Sequence, residues 1–111
     1  MLASSTKARI RSLNDALRRD PAQGHLMLTT GVVARGPEQL PAIMDAVARF
    51  SAFDTANDPH DEHDFGALVV GDARLFFKID YYDQAFAFHS PDPADPALTT
   101  RVLTVMLAEE Y

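Results

Sequence analysis

At 111 residues the chain is the size of one ordinary domain and long enough to bury a single core. Apolar residues make up 47% and charged residues 23%, too apolar a mixture for disorder, and no run approaches the roughly 18 apolar residues that span a bilayer. The formal net charge is −6, and the absence of cysteine excludes disulfides, thiol nucleophiles and thiolate metal sites.

Ser4 or Ser5 is placed to cap a first helix running to about Arg19, with Ile10, Leu13 and Leu17 as its apolar stripe. Asp20-Pro21 ends it, because the residue before a proline avoids the helical region. After Gly24, the run His25 to Val33 is rich in β-branched and aliphatic residues and reads as a strand. A second helix lies within Pro37 to Phe50, on the stripe Leu40, Ile43, Met44 and Val47. Pro41 inside it favours a start nearer Leu40.

Residues 51–64 read as a long polar loop. Phe65 to Val70 and Arg74 to Tyr82 then flank Gly71-Asp72, a short-turn signal for a hairpin. Asp83-Gln84 offers a second turn into a short strand, Ala85 to His89. Ser90 to Pro96 is a proline-stiffened connection to a last helix carrying Leu98, Val102, Val105 and Met106. The expected fold is a single α+β domain over residues 1–111, in the order α-β-α-β-β-β-α. Its antiparallel meander of about four strands is packed by three helices on one face. Leu13, Leu17, Leu28, Met44, Val47, Val69, Phe77, Ile79, Val102 and Met106 are the expected core.

Three stretches carry a resemblance that runs from Ile10 onward: NDPHDEHDFGA (Asn57 to Ala67), FKIDYYD (Phe77 to Asp83) and SPDPADPALTTRVLTVMLAEEY (Ser90 to Tyr111). Together they resemble a bacterial domain-of-unknown-function family common on plasmids, prophages and other mobile elements. The family assigns no activity and carries no catalytic residue over. Its setting implies an inhibitor of host defence, of the anti-CRISPR or anti-restriction type that occupies a DNA-binding groove.

The charge is unevenly spread. Residues 1–50 hold seven bases and four acids, a net of +3, whereas residues 51–111 hold three bases and twelve acids, a net of −9. The densest polar cluster is Asp54, Asn57, Asp58, His60, Asp61, Glu62, His63 and Asp64. His60 and His63, three apart among carboxylates, are ligand types for zinc or a harder cation, although Asn57, Asp58 and Pro59 argue for a turn that does not converge them. General acid–base work by His63 or Glu62 lacks a flagged nucleophile. The simplest reading closes turns with Asp58 and Asp64 and leaves the other carboxylates as surface charge. On the strand Arg74 to Asp83, Phe76 and Tyr82 alternate with charges away from the core-facing set and form a candidate contact surface. The basic first helix is the one place where nucleic acid would dock directly.

The combined expectation is a small acidic, non-enzymatic, cytoplasmic binding protein, without cofactor or membrane. Residues 1–7 lack the charged-then-apolar layout of a secretory leader. Its carboxylates mimic DNA phosphates in a basic nucleic-acid-binding groove of a protein partner, and the chain is a monomer or small homo-oligomer. Partner-binding residues are Asp54, Asp58, Asp61, Glu62, Asp64, Asp80 and Asp83, with Phe76 and Tyr82. The alternative is a small metal-binding domain or metal-dependent hydrolase centred on His60 and His63.

Overall fold

The computed structural model describes residues 2–111, with side chains described from Thr6 onward. Helix α1 spans Leu2–Arg19. Ser4 and Ser5 therefore lie inside the helix, and their side chains fall outside the described residues. Ile10, Asn14 and Leu17 recur at helical spacing and are all buried, so the inward stripe carries one polar residue. Asp20 ends the helix as expected and caps a 3-10 turn, Pro21–Gln23, by accepting from the Ala22 amide at 3.2 Å.

Strand β1 is His25–Leu28, shorter than the expected run to Val33. The chain leaves the sheet at Thr29 and makes a short helix α2, Thr30–Val33, which buries Val32 completely. Burial of one side chain against the core outweighs the strand propensity of the β-branched residues here. Helix α3 spans Gly36–Arg49 and thus begins before Leu40. Pro41 is tolerated one turn in, where its missing donor frees only the Pro37 carbonyl near the helix start.

β2 (Phe65–Val70) and β3 (Ala73–Tyr82) form the expected hairpin around Gly71-Asp72, with Gly71 at φ 61°, a left-handed conformation that favours glycine. The segment Ala85 to His89 is not a strand. Phe86 sits at φ 59°, and one isolated bridge joins Tyr82 to His89. The C-terminal segment is likewise not a helix but strand β4, Thr100–Leu107, followed by a 3-10 turn at Ala108–Glu110.

The sheet order is β1-β4-β3-β2, with β2, β3 and β4 antiparallel and β1 parallel to β4. Among the described residues the count of four strands and three helices in an α+β fold stands, but the fourth strand is Thr100–Leu107 rather than Ala85 to His89, and the third helix is α2 rather than a C-terminal one. β4 lies inside the sheet with Leu103 and Val105 on one face and Val102 and Met106 on the other, all buried. Apolar residues on both faces suit a strand enclosed in a sheet as well as they suit a helix.

The helices supply Ile10, Leu17, Val32, Ile43 and Val47 to a cluster with Leu75, Phe77, Ile79, Leu103 and Val105, so α1, α2 and α3 share one face of the sheet. Of the expected core, Leu17, Val47, Phe77, Ile79, Val102 and Met106 are buried, and Leu13, Leu28 and Met44 are half-buried. Val69 is 66% exposed, because it pairs with Arg74 on the face without helices and lies in an edge strand.

Candidate functional site

The polar loop between α3 and β2 docks on α1 through a chain of charged contacts. Arg18 is the anchor. Its buried guanidinium donates to the carbonyls of Val47 at 2.7 Å and Phe50 at 3.1 Å, at the C-terminal end of α3 where carbonyls lack helical partners. It also pairs with Asp15 at 2.7 Å and lies over the rings of Phe53 and Phe77.

The same Asp15 oxygen accepts from Nδ1 of His63 at 2.9 Å. The His63 ring stacks on Phe53 with centroids 3.9 Å apart and planes within 3°, which fixes its orientation. Burial works against ionising Asp15. The hydrogen bonds from Arg18 and His63, with their charges, outweigh it and hold the pKa below the ordinary aspartate value. The hollow beside this pair, ≈ 260 Å³, contains one hydroxyl, that of Ser51, which forms no hydrogen bond with His63 among the described residues.

The loop acids have individual duties. Asp54, exposed, accepts from the amides of Ala56 and Asn57 at 2.9 and 3.0 Å. Asp58 closes a turn as expected, accepting from the amides of Glu62 and His63 at 2.9 and 3.1 Å, but at only 5% exposed it is not placed to be the partner contact also expected of it. Asp61 pairs with Arg11 at 2.8 Å, and Glu62 accepts from the Tyr81 hydroxyl at 2.9 Å. Asp64 carries a raised pKa, from burial first and then from the charges of Glu62 and Asp58. Asp61 and His63 both hold positive φ, 57° and 58°, as the turn closed by Asp58 requires. Asp58, Asp61 and His63 bring one ligand-type atom each within 4.8 Å of one another, whereas His60 is exposed and outside that group.

A second network was not foreseen from the sequence. Arg101 on β4, 7% exposed, donates through Nε to Asn14 Oδ1 at 2.7 Å and lies over the Tyr81 ring. Asn14 in turn donates to the Tyr81 hydroxyl at 2.7 Å and to the Glu62 carbonyl at 3.0 Å. Burial raises the Tyr81 pKa and lowers that of Arg101. The available signal was an asparagine on the apolar stripe of the first helix.

Phe76, Asp80 and Tyr82 come together on the sheet face opposite the helices, joined there by Phe65 and Met27. Tyr111 packs on Phe65 and Phe76 at one end, and Phe86 packs on His25 and Tyr82 at the other. Asp80 lies 3.2 Å from Lys78, with both side chains partly exposed. Asp83 closes a turn by accepting from the Ala87 amide at 2.9 Å.

Fold and surface together define a small α+β domain with a helix-covered mixed sheet and an open, aromatic-bearing face. Residues 28–110 match the family described as a protein of unknown function (DUF3768), and the chain belongs to that family. No curated protein and no solved structure matches it. No described helix is long and apolar enough to cross a membrane.

Proposed function

We propose that this protein acts by binding, without catalysis, a protein partner that presents a basic groove. It meets that partner with the open face of the sheet, and its acidic half attracts the partner from a distance. The observation that carries the reading is the face itself: Phe76, Asp80 and Tyr82 share a surface that no α-helix covers among the described residues. Aromatic side chains are enriched at contact surfaces. The −9 of residues 51–111 adds long-range attraction to a cationic partner. Against catalysis stands the local use of the chemistry-bearing residues, since Arg18 and His63 both bind Asp15 and join the loop to the helix.

The finer form of the proposal is an inhibitor of a nucleic-acid-binding defence complex, with carboxylates standing in for phosphates. It is supported by the charge and by the resemblance noted above. Because Asp54, Asp58 and Asp83 close turns and Asp61 pairs with Arg11, support comes from net charge rather than from a phosphate-like spacing. Affinity capture from host lysate at low and high salt, followed by mass spectrometry, tests it: a nucleic-acid-binding protein retained at low salt and released at high salt is the expected result. Partners insensitive to salt would overturn it.

A second reading, a divalent cation held by Asp58, Asp61 and His63, has their 4.8 Å grouping in its favour. The Arg11–Asp61 pair and the two amides on Asp58 already satisfy much of that group.

A further inference from the structure

The sheet ends at β2, and the outer side of that strand is bare. Ile79 N donates to Asp64 O at 2.8 Å, and the same register pairs Gly66 with Phe77, Leu68 with Leu75 and Val70 with Ala73. In an antiparallel ladder, residues that exchange hydrogen bonds with the neighbour alternate with residues whose groups point away. The N–H and C=O groups of Phe65, Ala67 and Val69 therefore face outward, and none has a hydrogen-bond partner among the described residues. Edge strands are ordinarily guarded by a lysine, a proline or a bulge. β2 reads Phe-Gly-Ala-Leu-Val-Val, six residues with neither charge nor proline, and Ala67 and Val69 on it are exposed.

We propose that β2 pairs with β2 of a second copy of this chain, antiparallel about a twofold axis at Ala67, so that two four-stranded sheets join into one. A charge-free edge selects a charge-free strand, and the chain itself supplies one. Only outward-facing residues exchange bonds across such a seam, and the register centred on Ala67 is the one that engages all of them. It sets Ala67 against its own copy, where a small side chain suits the axis. It also sets Phe65 against Val69 of the second copy on either side, an aromatic against a β-branched residue, which is a favourable cross-strand pair. The other edge, β1, offers only four residues before the chain turns into α2.

Each copy carries −6, so the two repel at long range and association strengthens as salt rises. Binding to a basic partner has the opposite salt dependence, so the two proposals fail separately. The test is sedimentation equilibrium of the full chain at several concentrations and salt levels, with amide hydrogen exchange on the same samples. The expected result is a dimer whose Kd falls with salt and whose Phe65, Ala67 and Val69 amides exchange more slowly as concentration increases. Ala67→Lys sets two ammonium groups across the axis and should weaken dimerisation about tenfold or more, with the Tm of the dilute monomer unchanged, since like charges directly opposite repel. A chain that stays monomeric while those amides exchange freely overturns the proposal and leaves the edge to a strand of another protein. A dimer that tolerates Ala67→Lys also overturns it, because the copies would then meet through another surface.

Discussion

Asp15 and His63 stand 48 positions apart in the chain and 2.9 Å apart in the fold, and the contact ties the acidic loop to the first helix. Arg18 completes the tie by binding the same Asp15 oxygen and the end of α3. Removing Asp15 leaves the buried Arg18 guanidinium without its counter-charge. Asp15→Ala should therefore cost about 3 kcal/mol in denaturant unfolding, the scale seen when one member of a buried pair is deleted. A loss below about 0.5 kcal/mol, the scale of an ordinary surface change, would mean that the tie contributes nothing.

Two aspartates should give opposite pH dependence. The Asp15 pKa is lowered on folding, so its contribution is present above the ordinary aspartate value of 3.8 and is lost as pH falls through the lower folded value. The Asp64 pKa is raised, so ionising it opposes folding as pH climbs from 3.8 through the higher folded value. Melting curves should show Asp64→Asn matching or exceeding the parent at neutral pH, with any gain gone below pH 3.8. Asp15→Asn should be less stable than the parent at neutral pH and should approach it in acid. Parallel curves for the two variants would contradict both assignments.

Gly66 is needed for space rather than for an unusual φ. A Cβ built there would lie 2.3 Å from Phe77 Cε2 and 2.8 Å from Phe50 Cε2, inside the aromatic cluster beneath β2. Gly66→Ala should destabilise by about 2 kcal/mol through overpacking. Gly71→Ala meets no neighbouring atom but must hold φ 61°, so its cost comes from the backbone. The near-ultraviolet circular dichroism of the aromatic residues should change in the first variant and not in the second.

The acidic positions differ in how much of their charge the fold uses. Asp61 and Asp80, paired with Arg11 and Lys78, keep side chains 62% and 38% exposed, and reversing both to lysine should slow association with a captured basic partner about tenfold or more at a cost of about 1 kcal/mol in stability. Asp58 and Glu62 should behave oppositely. Reversing either removes an acceptor from two loop amides or from the Tyr81 hydroxyl and costs about 1–3 kcal/mol of stability. Unchanged kinetics in the folded Asp61→Lys/Asp80→Lys double variant would rule out the charge-based contact and leave Phe76 and Tyr82 as its remaining basis.

Local chemistry determined much of this fold. The 3.6-residue spacing of Ile10 and Leu17, the Asp20-Pro21 stop, and the alternation of Leu75, Phe77, Ile79 and Tyr81 across Gly71-Asp72 each act over a few residues. The helix α1, the hairpin β2–β3 and the candidate surface of Phe76 and Tyr82 were therefore legible in the sequence. Tertiary structure decided the rest. Thr100 to Leu107 is apolar on both sides, a pattern that serves a buried helix or an interior strand, and only the vacancy between β1 and β3 makes it a strand. The turn closed by Asp58 was legible too, but the duties of Asp61, Glu62 and His63 were out of reach, because the groups that occupy them come from Arg11, Tyr81 and Asp15. A side chain's charge is written in its own residue, but whether that charge is spent inside the fold or offered to a partner depends on neighbours that only folding brings close.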